Sequence, residues 1–186
     1  VALILGDNFF YGQSLTKKLK DCIKLNSGCK ILLHPVSKPE LYGVANINSK
    51  KKIFSIKEKP KKTNSNLAIT GLYFFDNKVI NYSKYLKPSK RNELEMIDLL
   101  NNYKRNNKLK AEFLGRGGAW LDTGSINDFY NTSAFVSALE NRQGFKIACL
   151  EEIAFKSKWI NKKDIKKAIS FYGNCIYSNY LKKIIQ

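Results

Sequence analysis

Histidine is nearly missing from this chain. His34 is the only one in 186 residues, and the four cysteines, Cys22, Cys29, Cys149 and Cys175, stand far apart with no C-x-x-C pair. Zinc sites need closely spaced Cys and His ligands, and disulfide frameworks need denser cysteine sets, so neither is indicated. We read the thiols as reduced core or surface residues and His34, before Pro35 at a strand end, as structural. Long apolar runs are lacking as well. No stretch approaches the roughly 18 uninterrupted apolar residues that cross a bilayer, and the first residues lack a basic-then-apolar leader, so a cytoplasmic protein with no membrane partner is expected. Acidic residues are few, 15 against 33 Lys and Arg, which leaves a formal net charge of +18. Such a charge attracts phosphates. Yet only Arg91, Arg105, Arg116 and Arg142 are arginine, the residue that bidentate phosphate grips and base readout favour. Lysine-rich runs at 50–52, 57–62 and 162–167 accompany abundant Asn and Ile, as an AT-rich coding bias would produce. With no helix-turn-helix, zinc finger or aromatic RNA-binding strand, specific nucleic-acid binding is not expected.

What is present alternates between strand and helix signals. Residues 1–5, Val-Ala-Leu-Ile-Leu, form a continuous apolar run that reads as a strand covered on both faces. Leu15, Leu19 and Ile23 mark an amphipathic helix. Residues 30–36 return to strand character, and 44–47 and 53–56 flank an Asn-Ser-Lys turn as a hairpin. An aromatic-rich strand follows at 68–75, then a helix with Ile97, Leu100 and Tyr103 on one face, a strand at 108–114, a glycine loop and a short strand at 119–121. Ser125 is a plausible N-cap for the periodic stretch 129–139, and residues 153–185 are helical in pattern. The fold class is α/β with a mixed, mostly parallel sheet. Residues 1–140 would form the core and 141–186 a helical segment packed on it.

Two carboxylates stand out. Asp7 follows the first apolar run, and in open α/β sheets ligands bind beyond the carboxyl ends of strands. Gly6-Asp7-Asn8 is equally readable as a plain turn. In Ala119-Trp120-Leu121-Asp122-Thr123-Gly124 the arrangement repeats, although Asp122 could instead cap the helix that follows. Two strand-end aspartates from distant parts of a chain suit a Mg²⁺ site for phosphate chemistry, because hard cations take oxygen ligands and fill the remaining positions with water and phosphate. Glu58-Lys59-Pro60 offers a carboxylate for sugar hydroxyls beside an ammonium for a phosphate, provided that the chain bends there.

Together the segments LGDNFFYG, YGVANI, EKPKKTNSNLAITGLYFFDN, LKPSKRNELEMIDL, GRGGAWLDTG and ENRQGFKIACLEEIAF resemble, in order and spacing, the glucose-1-phosphate thymidylyltransferase family. The resemblance implies the Rossmann-like fold of nucleotide-diphospho-sugar transferases. It implies a reaction in which glucose 1-phosphate attacks dTTP to give dTDP-glucose, for deoxysugar pathways, and pyrophosphate. By the same resemblance Asp7 and Asp122 hold Mg²⁺. Tyr42, Gly43, Glu58 and Ile69 line the glucose pocket, Lys59 and Arg91 grip the sugar's phosphate, and Trp120 shapes the site. Gly12, Arg116 and Lys156 match a second, regulatory nucleotide site. A homo-oligomer, a tetramer built as a dimer of dimers, is implied too.

The departures carry expectations of their own. The family's amino-terminal third, with its glycine-rich triphosphate loop and base-reading residues, has no counterpart here, so the chain reads as a fragment without transferase activity by itself. Asn92 stands where the family has Gly, which would stiffen the loop bearing Arg91. Met96-Ile97 replaces Ile-Thr, and Lys156 replaces an Arg, weakening the regulatory phosphate grip. Two alternatives stay open: a related sugar-phosphate nucleotidyltransferase with another base or sugar, and a non-catalytic basic nucleic-acid-binding domain.

Overall fold

The computed structural model describes residues 1–89 and 92–186 and divides into two compact units, residues 1–125 and 126–186. The first unit runs β1 (Ala2–Ile4), β2 (Asn8–Gly12), α1 (Leu15–Ile23), β3 (Cys29–Pro35), a 3₁₀ turn (Pro39–Leu41), β4 (Gly43–Ile47), β5 (Ile53–Glu58), β6 (Leu67–Phe75), α2 (Val79–Lys84), α3 (Met96–Arg105), β7 (Leu109–Phe113) and β8 (Gly118–Asp122). The second holds α4 (Ile126–Gln143), α5 (Leu150–Lys156), α6 (Lys162–Tyr172) and α7 (Ile176–Ile184). The boundary between the two units falls between residues 125 and 126, so that α4 lies whole in the second unit. No described helix is long and apolar enough to cross a membrane.

The main sheet is ordered β5-β4-β6-β3-β7, with β1 also on β6, and β2 and β8 form a separate ladder. The sheet is mixed, as expected. The expectation of mostly parallel neighbours is met by β3 and β7 alone among the described strands; the other pairings are antiparallel. The short polar turn 48–52 explains one of these, because a tight hairpin can only return antiparallel. There Asn48 Oδ1 accepts the Lys52 N–H, and Lys51 takes the turn's positive φ of 58°.

β3 and β6 are buried on both faces, and alternation sorts their side chains. Ile31, Leu33, Tyr73 and Phe75 pack with Ile97, Leu100 and Tyr103 of α3 on one side. Leu32, Leu72 and Phe74 pack with Cys22, Leu114 and Trp120 on the other, where Leu15 and Leu19 of α1 also lie. The buried face of α1 is therefore Leu15, Leu19 and Cys22, whereas Ile23 is 67% exposed. At 3.6 residues per turn, position i+7 stays on the stripe and i+8 begins to leave it.

The opening run departs furthest from expectation. β1 is three residues long and joins the sheet by one edge only, so Val1 and Ile4 remain 62% and 58% exposed rather than buried on both faces. Between β3 and β6 the register jumps from Ile31 opposite Tyr73 to Leu33 opposite Ile69, a bulge of β6 centred near Gly71. Bulges re-aim the backbone locally. Here the bulge turns the Gly71 N–H toward Asn8.

All four cysteines are free, with Cys22, Cys29 and Cys149 buried. Burial pushes the Cys22 and Cys29 thiols up, so both are inert. Burial likewise lowers the His34 imidazole. The second unit closes around Cys149, Ile165 and Leu181. Its α6 begins with a full capping box, in which Asn161 accepts the Lys163 N–H and Asp164 accepts the Asn161 N–H.

Candidate active site

The ladder of β2 and β8 brings the two aspartates together. Asn8 pairs with Asp122 at its end, so the residue before β2, Asp7, stands beside the end of β8. Thr123 fastens the junction by donating both its backbone N–H and its hydroxyl to the Asp7 carbonyl, each at 2.8 Å. Asp122 Oδ1 accepts the Gly124 N–H at 3.0 Å, which turns the chain before α4. A β-carbon built on Gly124 would stand 3.2 Å from Asp122 Oδ1 and 3.9 Å from Asp7 Oδ2. Both carboxylates therefore face one point, with room kept by the glycine. Among the described residues no group of three or more His, Cys, Asp or Glu assembles a metal cage. A pair of hard oxygen donors open to water and ligand is what remains, and that set fits Mg²⁺, which binds through one or two carboxylates and completes its shell with water and phosphate.

Next to this pair a cleft of about 250 Å³ opens, lined in part by Tyr42, Gly43, Glu58, Lys59, Ile69, Trp120 and Asp122. The hairpin β4/β5 supplies its wall, since Gly43 pairs with Glu58 across the strands. Any side chain at Gly43 would intrude: its β-carbon would lie 3.1 Å from Ile97 Cδ1 and 3.2 Å from Glu58 Oε2. Lys59 sits at φ 37° and donates its N–H to the Tyr42 carbonyl at 3.0 Å. This is the bend that lets Glu58 and Lys59, adjacent in sequence, both line the cleft. Tyr42 meets the Trp120 indole edge-on, with ring centroids 4.9 Å apart. Burial, with the charge of Glu58 adding to it, holds the Tyr73 phenol protonated well above its ordinary range.

Other expectations fall elsewhere. Arg91 lies outside the described residues. Asn92, within them, adopts φ 60°, a left-handed conformation that glycine takes without cost and asparagine tolerates. Gly12 packs on the turn that carries Arg116, because its β-carbon would meet Gly118 Cα at 2.8 Å and the Gly117 carbonyl at 3.1 Å. Lys156 belongs to the second unit, where it pairs with Glu152 at 2.5 Å.

The sequence reading passed over Asn8, Glu95, Met96 and Gly71, all of which line the cleft. Asn8 had looked like a turn former. Its side chain instead accepts the Trp120 indole N–H at 2.5 Å and the Gly71 N–H at 3.1 Å, and donates to Asp7 Oδ1 at 2.8 Å. Only the coincidence of Asp-Asn with a distant Trp-x-Asp hinted at this.

A sequence model of the family described as "Nucleotidyl transferase" matches residues 1–138, well over half of the chain. The chain belongs to the nucleotidyl transferase family. Among curated relatives, the glucose-1-phosphate thymidylyltransferase of Neisseria gonorrhoeae is 42% identical over 185 residues, covering 100% of this chain and 64% of that protein. The one from Mycobacterium tuberculosis is 38% identical over 186 residues, with the same shares. This nucleotidyl transferase chain thus spans about two thirds of the length of the relatives it matches. Among solved structures, one described as a glucose-1-phosphate thymidylyltransferase from Bacillus anthracis in complex with sucrose superposes with a TM-score of 0.64 at 39% identity, covering 72% of this chain and 53% of that one. A UDP-glucose pyrophosphorylase complexed with UDP-glucose gives 0.61 at 24% identity, covering 72% and 54%, a likeness of fold alone.

Proposed function

We propose that this chain forms the sugar-phosphate and metal side of a glucose-1-phosphate thymidylyltransferase. In that reaction a phosphate oxygen of glucose 1-phosphate forms a bond to the α-phosphorus of dTTP, the bond from that phosphorus to the bridging oxygen breaks, and pyrophosphate leaves. Nucleotidyl transfer asks a protein mainly for positioning and for neutralisation of charge. The carrying observation is the cleft itself, which gathers Glu58, Lys59, Gly43 and Trp120 beside Asp122 in a volume suited to one sugar. Glu58 accepts hydrogen bonds from ring hydroxyls. Lys59 meets the phosphate, and the Tyr42 and Trp120 rings flank the sugar. Arg91 would add a planar fork to the same phosphate. Asp7 and Asp122 would hold Mg²⁺, which when bound offsets the charge on the transferring group. The choice of thymine and glucose follows the names of the relatives, whereas a homo-oligomeric assembly and a regulatory site at Gly12, Arg116 and Lys156 rest on the resemblance of the sequence motifs to the family.

Calorimetric titration of the chain with glucose 1-phosphate, with and without Mg²⁺, tests this. Binding strengthened by Mg²⁺ and weakened about 10-fold or more in Lys59→Ala and in Asp122→Ala is the expected result. No sugar-phosphate binding, together with DNA binding that collapses between low and moderate salt, would replace the enzyme reading with that of a basic nucleic-acid-binding domain.

A further inference from the structure

The Asn8 amide has hydrogen-bond partners at both ends, and they fix which way it points. The Trp120 indole N–H and the Gly71 backbone N–H can only donate, whereas the Asp7 carboxylate can only accept, so the carbonyl oxygen faces the first two and the NH₂ faces the third. One short side chain thereby joins β2, β6 and β8, which belong to two different sheets. The backbone is shaped to admit it. Gly71 lies at the bulge of β6, and a β-carbon there would stand 2.6 Å from Asn8 Oδ1 and 2.8 Å from Asn8 Nδ2. At the far end, Asn8 occupies Oδ1 of Asp7 and leaves Oδ2 as the oxygen nearest the point shared with Asp122.

We infer that Asn8 is a positioning residue that orients the Asp7 carboxylate for a divalent cation and connects its charge to the Trp120 indole, and so to the sugar pocket. This rests on the metal-site reading above. The physical argument is the polarisation of a hydrogen-bond chain. Negative charge on Asp7 draws on the Asn8 NH₂, makes the Asn8 carbonyl a better acceptor, and tightens its grip on the indole N–H. A cation at Asp7 withdraws that charge and loosens the indole bond. Trp120 is buried, touches Tyr42 edge-on and lines the cleft, so the change arrives where the sugar would sit. Partners that orient a metal ligand from behind typically contribute 10- to 100-fold to metal affinity.

The two tryptophans make the test direct, because Trp159, 77% exposed in the other unit, serves as an internal reference. The indole N–H signals of the whole chain are followed by NMR during titration with Mg²⁺ alone. In the wild type the Trp120 signal moves to saturation and the Trp159 signal stays. In Asn8→Leu, and in Gly71→Ala, which displaces Asn8 while leaving every proposed metal and sugar ligand unchanged, Mg²⁺ affinity falls about 10-fold or more and the movement at saturation shrinks. Folded variants that bind Mg²⁺ as the wild type does, with the Trp120 signal moving fully, would reduce Asn8 to a tie between strands and overturn the inference. Should Asn8→Leu not fold, Gly71→Ala decides alone. A wild type that binds no Mg²⁺ would instead sink the metal-site reading and this one with it.

Discussion

In the first unit a side chain with three hydrogen-bond partners, Asn8, stands at the cleft, between Asp7, Gly71 and Trp120. In the second unit comparable networks tie helices together: Glu151 accepts from Tyr172 and Tyr177, and Glu152 accepts from Tyr180 and Lys156. Core size accounts for the contrast. A sheet buried on both faces by two apolar clusters can hold polar groups at a ligand site, whereas helices closed around Cys149, Ile165 and Leu181 rely on polar braces. The first unit contains such a brace as well. Asp76 accepts from the Gly28 N–H at 2.6 Å and from the Tyr103 hydroxyl at 2.9 Å, and these bonds outweigh burial to keep its carboxyl below the ordinary value.

The sharpest way to break this comparison is to cut the small core. Leu181→Ala should destabilise the second unit by about 2–5 kcal/mol, read by denaturant unfolding of its helices. A loss below about 1 kcal/mol would mean that the braces, not the core, hold the unit. Gly43→Ala probes the other side of the contrast. The new methyl crowds Ile97 and Glu58, so glucose 1-phosphate binding should weaken about 10-fold by calorimetry with little change in melting temperature. Equal binding would place the sugar elsewhere. Tyr177→Phe removes a hydroxyl that bonds Glu151 and contacts Cys149 Sγ, and should cost about 1–2 kcal/mol of stability in chemical denaturation.

Acid should separate the units more gently. Glu140, Glu151 and Glu152 are all held below the ordinary carboxyl value of 4.5: burial pushes them up, but bonds from Lys146, Tyr177 and Lys156 outweigh it. A carboxyl lowered in the folded state contributes stability that is complete above its unfolded value and is lost as the pH falls through its folded value. The second unit should therefore weaken as the pH drops below about 4.5, and Glu151→Gln should flatten part of that loss. In the first unit the corresponding loss from Asp76 begins lower, from 3.8. The Trp159 and Trp120 indole signals report the two units separately.

Much of the fold was legible because periodicity speaks directly of burial. The hairpin, the aromatic strand β6, the α3 face and the short strand before Asp122 all follow from local pattern. The apolar run at 1–5 misled, because hydrophobicity records what a strand can bury and says nothing of how many neighbours cover it. The bulge at Gly71 was illegible for a different reason: it exists only in the register between β3 and β6, which lie far apart in sequence. The same holds for Asn8. Its neighbours Gly71 and Trp120 are 63 and 112 residues away, so a residue that reads locally as a turn former gains its role only when three strands meet. Asp7 and Asp122 were visible as candidates, since a carboxylate ending an apolar run is conspicuous, and the ladder of β2 and β8 supplied their proximity.

The proposed function requires one divalent ion between those two carboxylates. Electron paramagnetic resonance of Mn²⁺, added to the wild type and to Asp7→Ala and Asp122→Ala, tests it most directly. We predict one tightly held Mn²⁺ per chain in the wild type and its loss in either single variant. A variant lacking one carboxylate that still bound the ion as well as the wild type would contradict the shared site.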